Sequence, residues 1–398
     1  MTISERAVAT ALLTLIALGA GGSDRAGGEQ QVAGNESPQQ DSGPAGDWAA
    51  ADPDRSWTFP ADHWAHRDFR TEWWYFTGHL ECADRPEQRF GYQFTLFRIG
   101  LLSTPPELDS DWSADTLIMG HAAITDLSGG EHRFTDLLFR EARRLGEFGR
   151  HPDPVIAWVR PPPGTGTLWK LRHNGDAFDL QMRDDARGLR MRLSTTPLKP
   201  RVFQGPHGYS RKGRDPGGAS HYYSYTRLYT AGRLQLGPFE CGAVGTSWMD
   251  HEFSSSQLLP QQVGWDWFSL QLDDGRDLMV YLMRRTGGSV DYRIANVIDP
   301  AGRVAHLSED QWSVRSTATW ASGRTGAVYP SEWVIEVPGE RINARIVPLL
   351  PDQENRGRVP GAPYYYEGAV EVLGKNDERL GRGYVELTGY GDDNRPPV

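Results

Sequence analysis

The chain has 398 residues, a formal net charge of -10 and an isoelectric point near 5.6. This acidic balance argues against a nucleic-acid-binding surface, which needs a basic patch that releases counterions. The length exceeds what one β-barrel usually needs and predicts two domains of ordinary size.

The first residues have the pattern of a targeting segment. Arg6 precedes an apolar run, residues 7–20, which is shorter than the roughly 20 residues of a spanning helix and is followed by small residues. We therefore predict a signal peptide over residues 1–22 and export to the periplasm or cell envelope. The stretch Leu18-Gly19-Ala20-Gly21 looks like a lipobox with glycine in place of the lipidated cysteine, so lipid anchoring through Gly21 is not possible.

Residues 23–47 are polar and rich in glycine, glutamine and serine, which predicts a flexible linker before the folded body. The two cysteines, Cys82 and Cys241, lie far apart in the sequence. An exported protein could join them in an oxidising compartment, but two buried thiols are at least as reasonable an alternative. The sequence leaves both arrangements open.

Strands and turns dominate the remaining chain. Its 14 Trp, 15 Tyr and 14 Phe, with 45 Gly and 27 Pro, favour strands over helices. Three hairpins are predicted, pairing residues 72–80 with 90–97, 265–272 with 278–283, and 364–372 with 382–388. The first two hairpins resemble each other, which indicates a duplicated barrel. We place the domain boundary near Gly237 to Gly245, giving domains over residues 48–240 and 241–398.

Two segments concentrate residues that could carry chemistry. In Ser247-Trp248-Met249-Asp250-His251-Glu252, a strand would direct Asp250 and Glu252 to one face and His251 to the other. In the segment after Gly218, the same period of two places His221, Tyr223 and Tyr225 on one face. Spacing alone also allows an ordinary polar strand end and a hydrogen-bonded core histidine.

Other chemistries find little support in the sequence. The stretch Gly245-Thr246-Ser247-Trp248-Met249 lacks the second glycine of a serine-hydrolase nucleophile elbow. Metal-ligand residue types occur, but no pair of them has a diagnostic spacing; they are His63, His66, His221, His251 and Glu252. No phosphate loop or dinucleotide fingerprint is found, and we expect neither a metal nor a cofactor.

Several motifs in one order resemble the carotenoid 1,2-hydratase (hydroxyneurosporene synthase)/AttH-like family, from about residue 55 to residue 390. They are Glu72-Trp73-Trp74-Tyr75, Gly208-Tyr209-Ser210-Arg211-Lys212-Gly213, Ser247-Trp248-Met249-Asp250-His251-Glu252, Gly264-Trp265-Asp266-Trp267-Phe268 and Tyr366-Glu367-Gly368-Ala369-Val370. The resemblance implies an all-β fold of two consecutive lipocalin-like antiparallel β-barrel domains, with the active cavity at or near their junction.

The resemblance also implies catalytic residues. The hydratases carry a His-x-Trp pattern followed by Tyr-x-Asp, with the histidine and aspartate 29 positions apart, which His221 and Asp250 match in type and spacing. Tyr223 and Trp248 stand at the two aromatic positions, with tyrosine and tryptophan exchanged relative to the carotenoid hydratases. Asp250 would be a protonated acid and His221 would orient water, while the two aromatic rings would stabilise a cation. Three further aromatic residues are expected to line the pocket, Tyr222, Trp265 and Trp267.

Two functions of different class follow. The first is a hydro-lyase that hydrates, or otherwise acts by acid catalysis on, an unsaturated hydrophobic molecule such as an isoprenoid. The second is a non-catalytic lipocalin-like carrier of an apolar ligand in the cell envelope, because fold alone does not confer activity. Either way the expected partner is a hydrophobic small molecule, with the membrane surface as a further potential contact, and the sequence does not decide whether the protein is an enzyme.

Overall fold

The computed structural model describes residues 48–104, 114–161, 165–215, 217–358, 363–391 and 394–396. The predicted signal peptide and linker lie outside these residues. Almost all regular structure in the described part is β, as predicted, and each of two sheets curves into a lipocalin-like barrel unit. The short 3-10 helices are Ala61–His63, Pro206–Gly208 and Pro338–Glu340. Within the described ranges, none of the helices is long and apolar enough to cross a bilayer.

The first sheet has the strand order β4-β3-β2-β1-β13-β12-β9-β8-β7-β6-β5, with β10 and β11 pairing against β12. All neighbours are antiparallel, and the strands are β1 Thr71–Cys82, β2 Arg85–Gly100, β3 Thr116–Asp126, β4 Glu131–Arg140, β5 Gly146–Phe148, β6 Val155–Val159, β7 Leu168–Asn174, β8 Ala177–Asp184, β9 Leu189–Pro197, β10 Val202–Phe203, β11 Tyr209–Arg211, β12 Ala219–Leu236 and β13 Phe239–Ser256.

The second sheet has the order β17-β16-β15-β14-β23-β22-β20-β19-β18, with β21 pairing against β22. Its strands are β14 Gln262–Leu272, β15 Asp277–Arg285, β16 Val290–Ile298, β17 Val304–Leu307, β18 Ser313–Ala321, β19 Val328–Val337, β20 Ile342–Pro348, β21 Glu354–Asn355, β22 Tyr365–Leu373 and β23 Arg379–Leu387.

The three predicted hairpins are confirmed as β1–β2, β14–β15 and β22–β23. The first two hold equivalent places. In each unit the opening strand pairs with its hairpin partner on one side and with the last strand of the same sheet on the other, β13 for β1 and β23 for β14. This shared order agrees with two copies of one barrel plan.

When the chain is divided by the sheet to which each strand belongs, the division falls later than the predicted boundary. The range Gly237 to Gly245 spans the turn of the β12–β13 hairpin and the start of β13. Strand β13 then returns across the first sheet and pairs with β1 along its length. By this criterion the first unit extends to Ser256 and the second begins at Gln262.

Cys82 and Cys241 form a disulfide, which decides between the two arrangements that the sequence left open. Cys82 ends β1, and Cys241 lies near the start of β13, the strand paired with β1. The bond therefore joins neighbouring strands of the first sheet.

Each unit has its own apolar core, and a third apolar cluster lies between the units. One core, around residues such as Phe94 and Trp169, is made only from the first unit, and another, around Phe268 and Trp333, only from the second. The third cluster takes Tyr222 and Trp248 from the first sheet together with aromatic and aliphatic side chains of the second. The first half of β12 and the second half of β13 are consequently buried on both faces, which is why polar side chains there are shielded from water.

Candidate active site

A cavity of about 80 Å³ lies between the two sheets. This volume holds water molecules or one end of an apolar molecule. Its apolar lining consists largely of aromatic rings, including Trp73, Phe97, Trp265 and Trp267. Its acidic and basic lining, apart from tyrosines, comes from both units and consists of Lys212, Asp250, Glu252 and Glu386. The junction of the barrels therefore combines an aromatic enclosure with a small group of ionisable side chains, as the family resemblance implied.

Asp250 is the central polar residue of this cavity and is 3% exposed. Its Oδ1 accepts hydrogen bonds from Ser224 Oγ at 2.5 Å and from Trp248 Nε1 at 2.7 Å, while its Oδ2 accepts one from the Tyr222 hydroxyl at 2.5 Å. Burial raises the pKa of Asp250 to about 7, although the three donors favour the ionised form. Near neutral pH this carboxyl can therefore exist with or without its proton.

Tyr222 connects Asp250 to the second unit. Its hydroxyl accepts a hydrogen bond from Trp267 Nε1 at 3.2 Å while it donates to Asp250. Burial and the neighbouring Asp250 raise the pKa of Tyr222 well above its ordinary value, so the phenol stays neutral. The predicted pocket residues Tyr222, Trp265 and Trp267 all line the cavity.

Lys212 and Glu252 form a buried ion pair on the cavity wall. The ammonium also lies 4.7 Å from the ring centre of Tyr281 and 5.3 Å from that of Tyr222. Ser220 Oγ donates a further hydrogen bond to Glu252. The prediction that Asp250 and Glu252 share a face is confirmed, because both line the cavity.

The structure does not bring His221 to Asp250. His221 lies opposite Phe253 across the β12–β13 pair, while Asp250 lies opposite Ser224. Residues directly opposite share a face, and successive residues alternate, so the His221 and Asp250 side chains project to opposite faces. The expectation that this histidine works beside Asp250 therefore does not fit the geometry.

A register shift explains this separation. Near the hairpin turn Leu236 lies opposite Phe239, and that register, continued without change, would set Asp250 opposite Tyr225 and on the face of Tyr223. A bulge between Tyr225 and Leu228 places two residues of β12 against one of β13 and moves the register by one. A shift of one residue exchanges faces, so Asp250 turns to the cavity.

His221 is buried in an aromatic setting on the far face. The backbone N–H of Asp52 donates to its Nε2 at 3.2 Å, and its ring makes edge contacts with Trp57 and Phe69. Burial, with help from nearby Arg55, lowers the pKa of His221 to about 4, so the imidazole is neutral at physiological pH. These contacts describe a core histidine of the first unit.

Tyr223 shares the far face with His221, whereas Trp248 lies on the cavity side. The phenol oxygen of Tyr223 lies 2.6 Å from His63 Nδ1 and 2.8 Å from His251 Nδ1. Trp248 contacts Asp250 through its indole N–H, as described above. Of the four residues implied as catalytic, the structure therefore groups Asp250 with Trp248 and, separately, His221 with Tyr223.

A second buried polar cluster on the far face centres on Glu72. Glu72 Oε1 lies 2.7 Å from His66 Nδ1 and 2.8 Å from His251 Nε2, and Arg98 Nε donates to Oε2 at 3.2 Å. Burial opposes ionisation of Glu72, but His66 and His251 hold its pKa below the ordinary range. The nitrogen and oxygen atoms of His66, Glu72 and His251 lie within 4.8 Å of one another, as metal ligands do. A cation there would compete with the Arg98 guanidinium for the Glu72 carboxylate.

Sequence reasoning missed Lys212 and Glu386 as cavity residues. Lys212 was recognised only as part of a loop motif, and Glu386 only as part of a strand. The available signal for Glu386 is a carboxylate in the otherwise mostly apolar run Gly383-Tyr384-Val385-Glu386-Leu387. Such a residue in a buried strand is a candidate functional group.

A sequence profile described as AttH-like matches residues 50–390. A crystal structure assigned as an AttH from Nitrosomonas europaea is 33% identical, covers 86% of this chain and 100% of its own, and superposes with a TM-score of 0.74. Kievitone hydratase from Nectria haematococca is 12% identical, with coverages of 87% and 97% and a TM-score of 0.57, a likeness of fold. No curated protein sequence gives a significant match. The profile match over most of the chain shows that this protein belongs to the AttH-like family.

Proposed function

We propose that this protein adds water to a carbon–carbon double bond of a hydrophobic, isoprenoid-like molecule, with Asp250 as the acid. The observation that carries the proposal is Asp250 itself, a carboxyl with its pKa raised to about 7 by burial in an aromatic cavity. An isolated alkene is a poor base, so its protonation needs an acid that is still protonated near neutral pH.

The surroundings of Asp250 suit the cation that protonation creates. Trp265, Trp267 and Tyr75 line the same cavity, and an aromatic face stabilises a nearby cation by about 1–2 kcal/mol where water is excluded. The Glu252 carboxylate adds negative charge to the wall, held in place by Lys212. This assigns cation stabilisation to rings other than Tyr223, which lies on the far face.

The Tyr222 hydroxyl offers a route for proton transfer from Asp250 to a bound substrate. The Tyr222 hydroxyl lines the cavity and donates to Asp250 Oδ2. When Asp250 is protonated on that oxygen, it can donate to Tyr222, whose own proton is then free to face the substrate. Tyr222 can thus pass a proton from Asp250 without itself becoming ionised. The fold is compatible with hydration chemistry, since kievitone hydratase, a hydratase by its name, has a similar fold.

We also propose that the protein is exported, as its first residues predict. The disulfide between Cys82 and Cys241 supports this, because such bonds persist mainly in oxidising compartments. Export places the substrate among apolar molecules of the cell envelope.

The proposal is tested by extracting protein purified from its own envelope and identifying any apolar molecule that copurifies by mass spectrometry. The recovered molecule is then incubated with the wild type and with the Asp250→Asn variant. We expect an alkene or its hydrated product, and turnover by the wild type alone. A molecule that both proteins bind and neither changes would contradict the enzyme and favour the carrier function.

A further inference from the structure

A second carboxyl group faces the cavity from the other barrel unit. Glu386 lies on β23, directly opposite Trp267 on β14, whereas Asp250 lies on β13 of the first sheet. The indole of Trp265 favours the ionised form of the Glu386 carboxyl and so acts to lower its pKa. Because both carboxyls line one cavity, a molecule between the sheets can meet Asp250 on one side and Glu386 on the other.

The environment of Glu386 keeps it protonated to a higher pH than an ordinary glutamate. Burial raises its pKa to about 7, and the negative charges of Asp250 and Glu252 add to this effect. Two carboxyls that repel each other in one poorly hydrated site do not ionise together, so they titrate as a pair. Near neutral pH the pair formed by Asp250 and Glu386 holds about one proton.

The other titratable groups near Glu386 are already engaged. Glu367 is its direct neighbour on β22, but Tyr75 donates a 2.5 Å hydrogen bond to Glu367, which is not part of the cavity lining. Burial and Glu386 raise the pKa of Glu367 well above its ordinary value, so it stays neutral. The Glu252 carboxylate is engaged in an ion pair with Lys212. Among the cavity residues that the structure describes, Glu386 is therefore the carboxyl best placed to exchange a proton opposite Asp250.

We propose that Glu386 is a second catalytic residue, which accepts a proton from the attacking water while Asp250 supplies a proton to the alkene. This inference rests on the proposed function and gives Glu386 the role that the sequence suggested for His221. It also predicts a substrate whose double bond reaches the junction of the two sheets, with both of its faces approached by carboxyl groups.

The proposed reaction adds one water molecule across the double bond. The O–H bond of the acid breaks, and the alkene π electrons form a new C–H bond, leaving a cation on the neighbouring carbon. A lone pair of the water oxygen forms the C–O bond, and one water O–H bond breaks as its proton passes to the Glu386 carboxylate. The product is an alcohol, and exchange with solvent returns the proton from Glu386 to Asp250.

The pairing is tested without substrate by carbon-13 NMR titration of side-chain carboxyls in the intact protein. Glu386→Gln identifies the Glu386 signal by its loss, and Asp250→Asn reports the coupling. We expect a Glu386 midpoint near neutral pH in the wild type and a midpoint lower by about one unit in Asp250→Asn. A Glu386 midpoint that Asp250→Asn leaves in place would overturn the pairing, whether or not the protein hydrates alkenes.

The catalytic role is tested with citronellol, an isoprenoid alcohol with one trisubstituted alkene. We expect Glu386→Gln to lower kcat at least 100-fold and to remove the acidic limb of the pH–rate profile. The matched control is Glu371→Gln, a half-buried glutamate of β22 outside the cavity lining, which should keep the wild-type profile. If Glu386→Gln still turns over citronellol with the wild-type pH–rate profile, the role of Glu386 is refuted. If turnover is lost in Asp250→Asn alone, the role of Glu386 is likewise refuted and that of Asp250 stands.

Discussion

Replacing Asp250 by asparagine should change the pH dependence of stability. The difference in free energy of unfolding between the variant and the wild type should shift in favour of the variant as the pH rises. Burial raises the pKa of Asp250 from an ordinary value of 3.8 to about 7. Between these values the folded protein holds a proton that the unfolded chain releases, so the free energy of unfolding of the wild type falls with rising pH. A shift of about 3 units at about 1.36 kcal/mol per unit corresponds to about 4 kcal/mol.

Asparagine cannot ionise and escapes this loss. It keeps the shape of the side chain and an oxygen that can accept from Ser224 and Trp248, but it leaves the Tyr222 contact altered. The variant is therefore expected to lose stability at acidic pH. Its free energy of unfolding relative to the wild type should then improve by about 4 kcal/mol between about pH 4 and about pH 8.

The assay is urea unfolding followed by tryptophan fluorescence at several pH values, with the disulfide intact. Asp176→Asn, at an exposed position, serves as the matched control and should follow the wild type at every pH. If the curves for wild type and Asp250→Asn remain parallel across this range, Asp250 does not hold its proton as argued, and the assignment of the acid fails.

Three further changes test the contacts that hold the site in place. Replacing Cys82 and Cys241 by serine should lower the free energy of unfolding by up to about 5 kcal/mol, because the bond closes a separation of 159 residues; urea midpoints unchanged by reduction of the wild type would contradict this. Glu72→Gln should cost about 3–5 kcal/mol at neutral pH by leaving its cationic partners unpaired. The pKa of Glu72 is depressed, so its contribution is lost as pH falls, and the difference from wild type should shrink in acid; a constant difference would refute the ion pairing. Lys212→Met should cost a similar amount by stranding the Glu252 carboxylate, and adding Glu252→Gln should recover part of it, whereas additive losses in this double-mutant cycle would exclude coupling.

The sequence predicted the fold well because hairpins are local. Alternating apolar residues and short turns specify β1–β2 and β14–β15 from neighbouring residues alone. The pairing of β13 with β1 is not local, and nothing in its composition indicates which sheet it joins. For that reason sheet membership places the division after Ser256 rather than near Gly237.

Only part of the site was predicted, because the face of a side chain follows from alternation along one strand, whereas its neighbours on the next strand depend on the pairing register. Alternation along β13 correctly placed Asp250 and Glu252 together, since it depends on one strand. Whether His221 shares that face depends on the register of β12 against β13, and the bulge after Tyr225 changes it by one residue. A spacing of two residues in the sequence cannot reveal such a bulge. Glu386 was missed because it comes from the last strand of the other unit.

Acid-catalysed hydration at this cavity is tested by following oxygen incorporation from labelled water. Citronellol is incubated with the wild type in water enriched in oxygen-18, and the products are analysed by mass spectrometry. If Asp250 protonates the alkene, the wild type forms a labelled tertiary alcohol and Asp250→Asn forms none above background. Citronellol bound by the folded wild type, and recovered without labelled product at any pH, would contradict acid-catalysed hydration at this cavity.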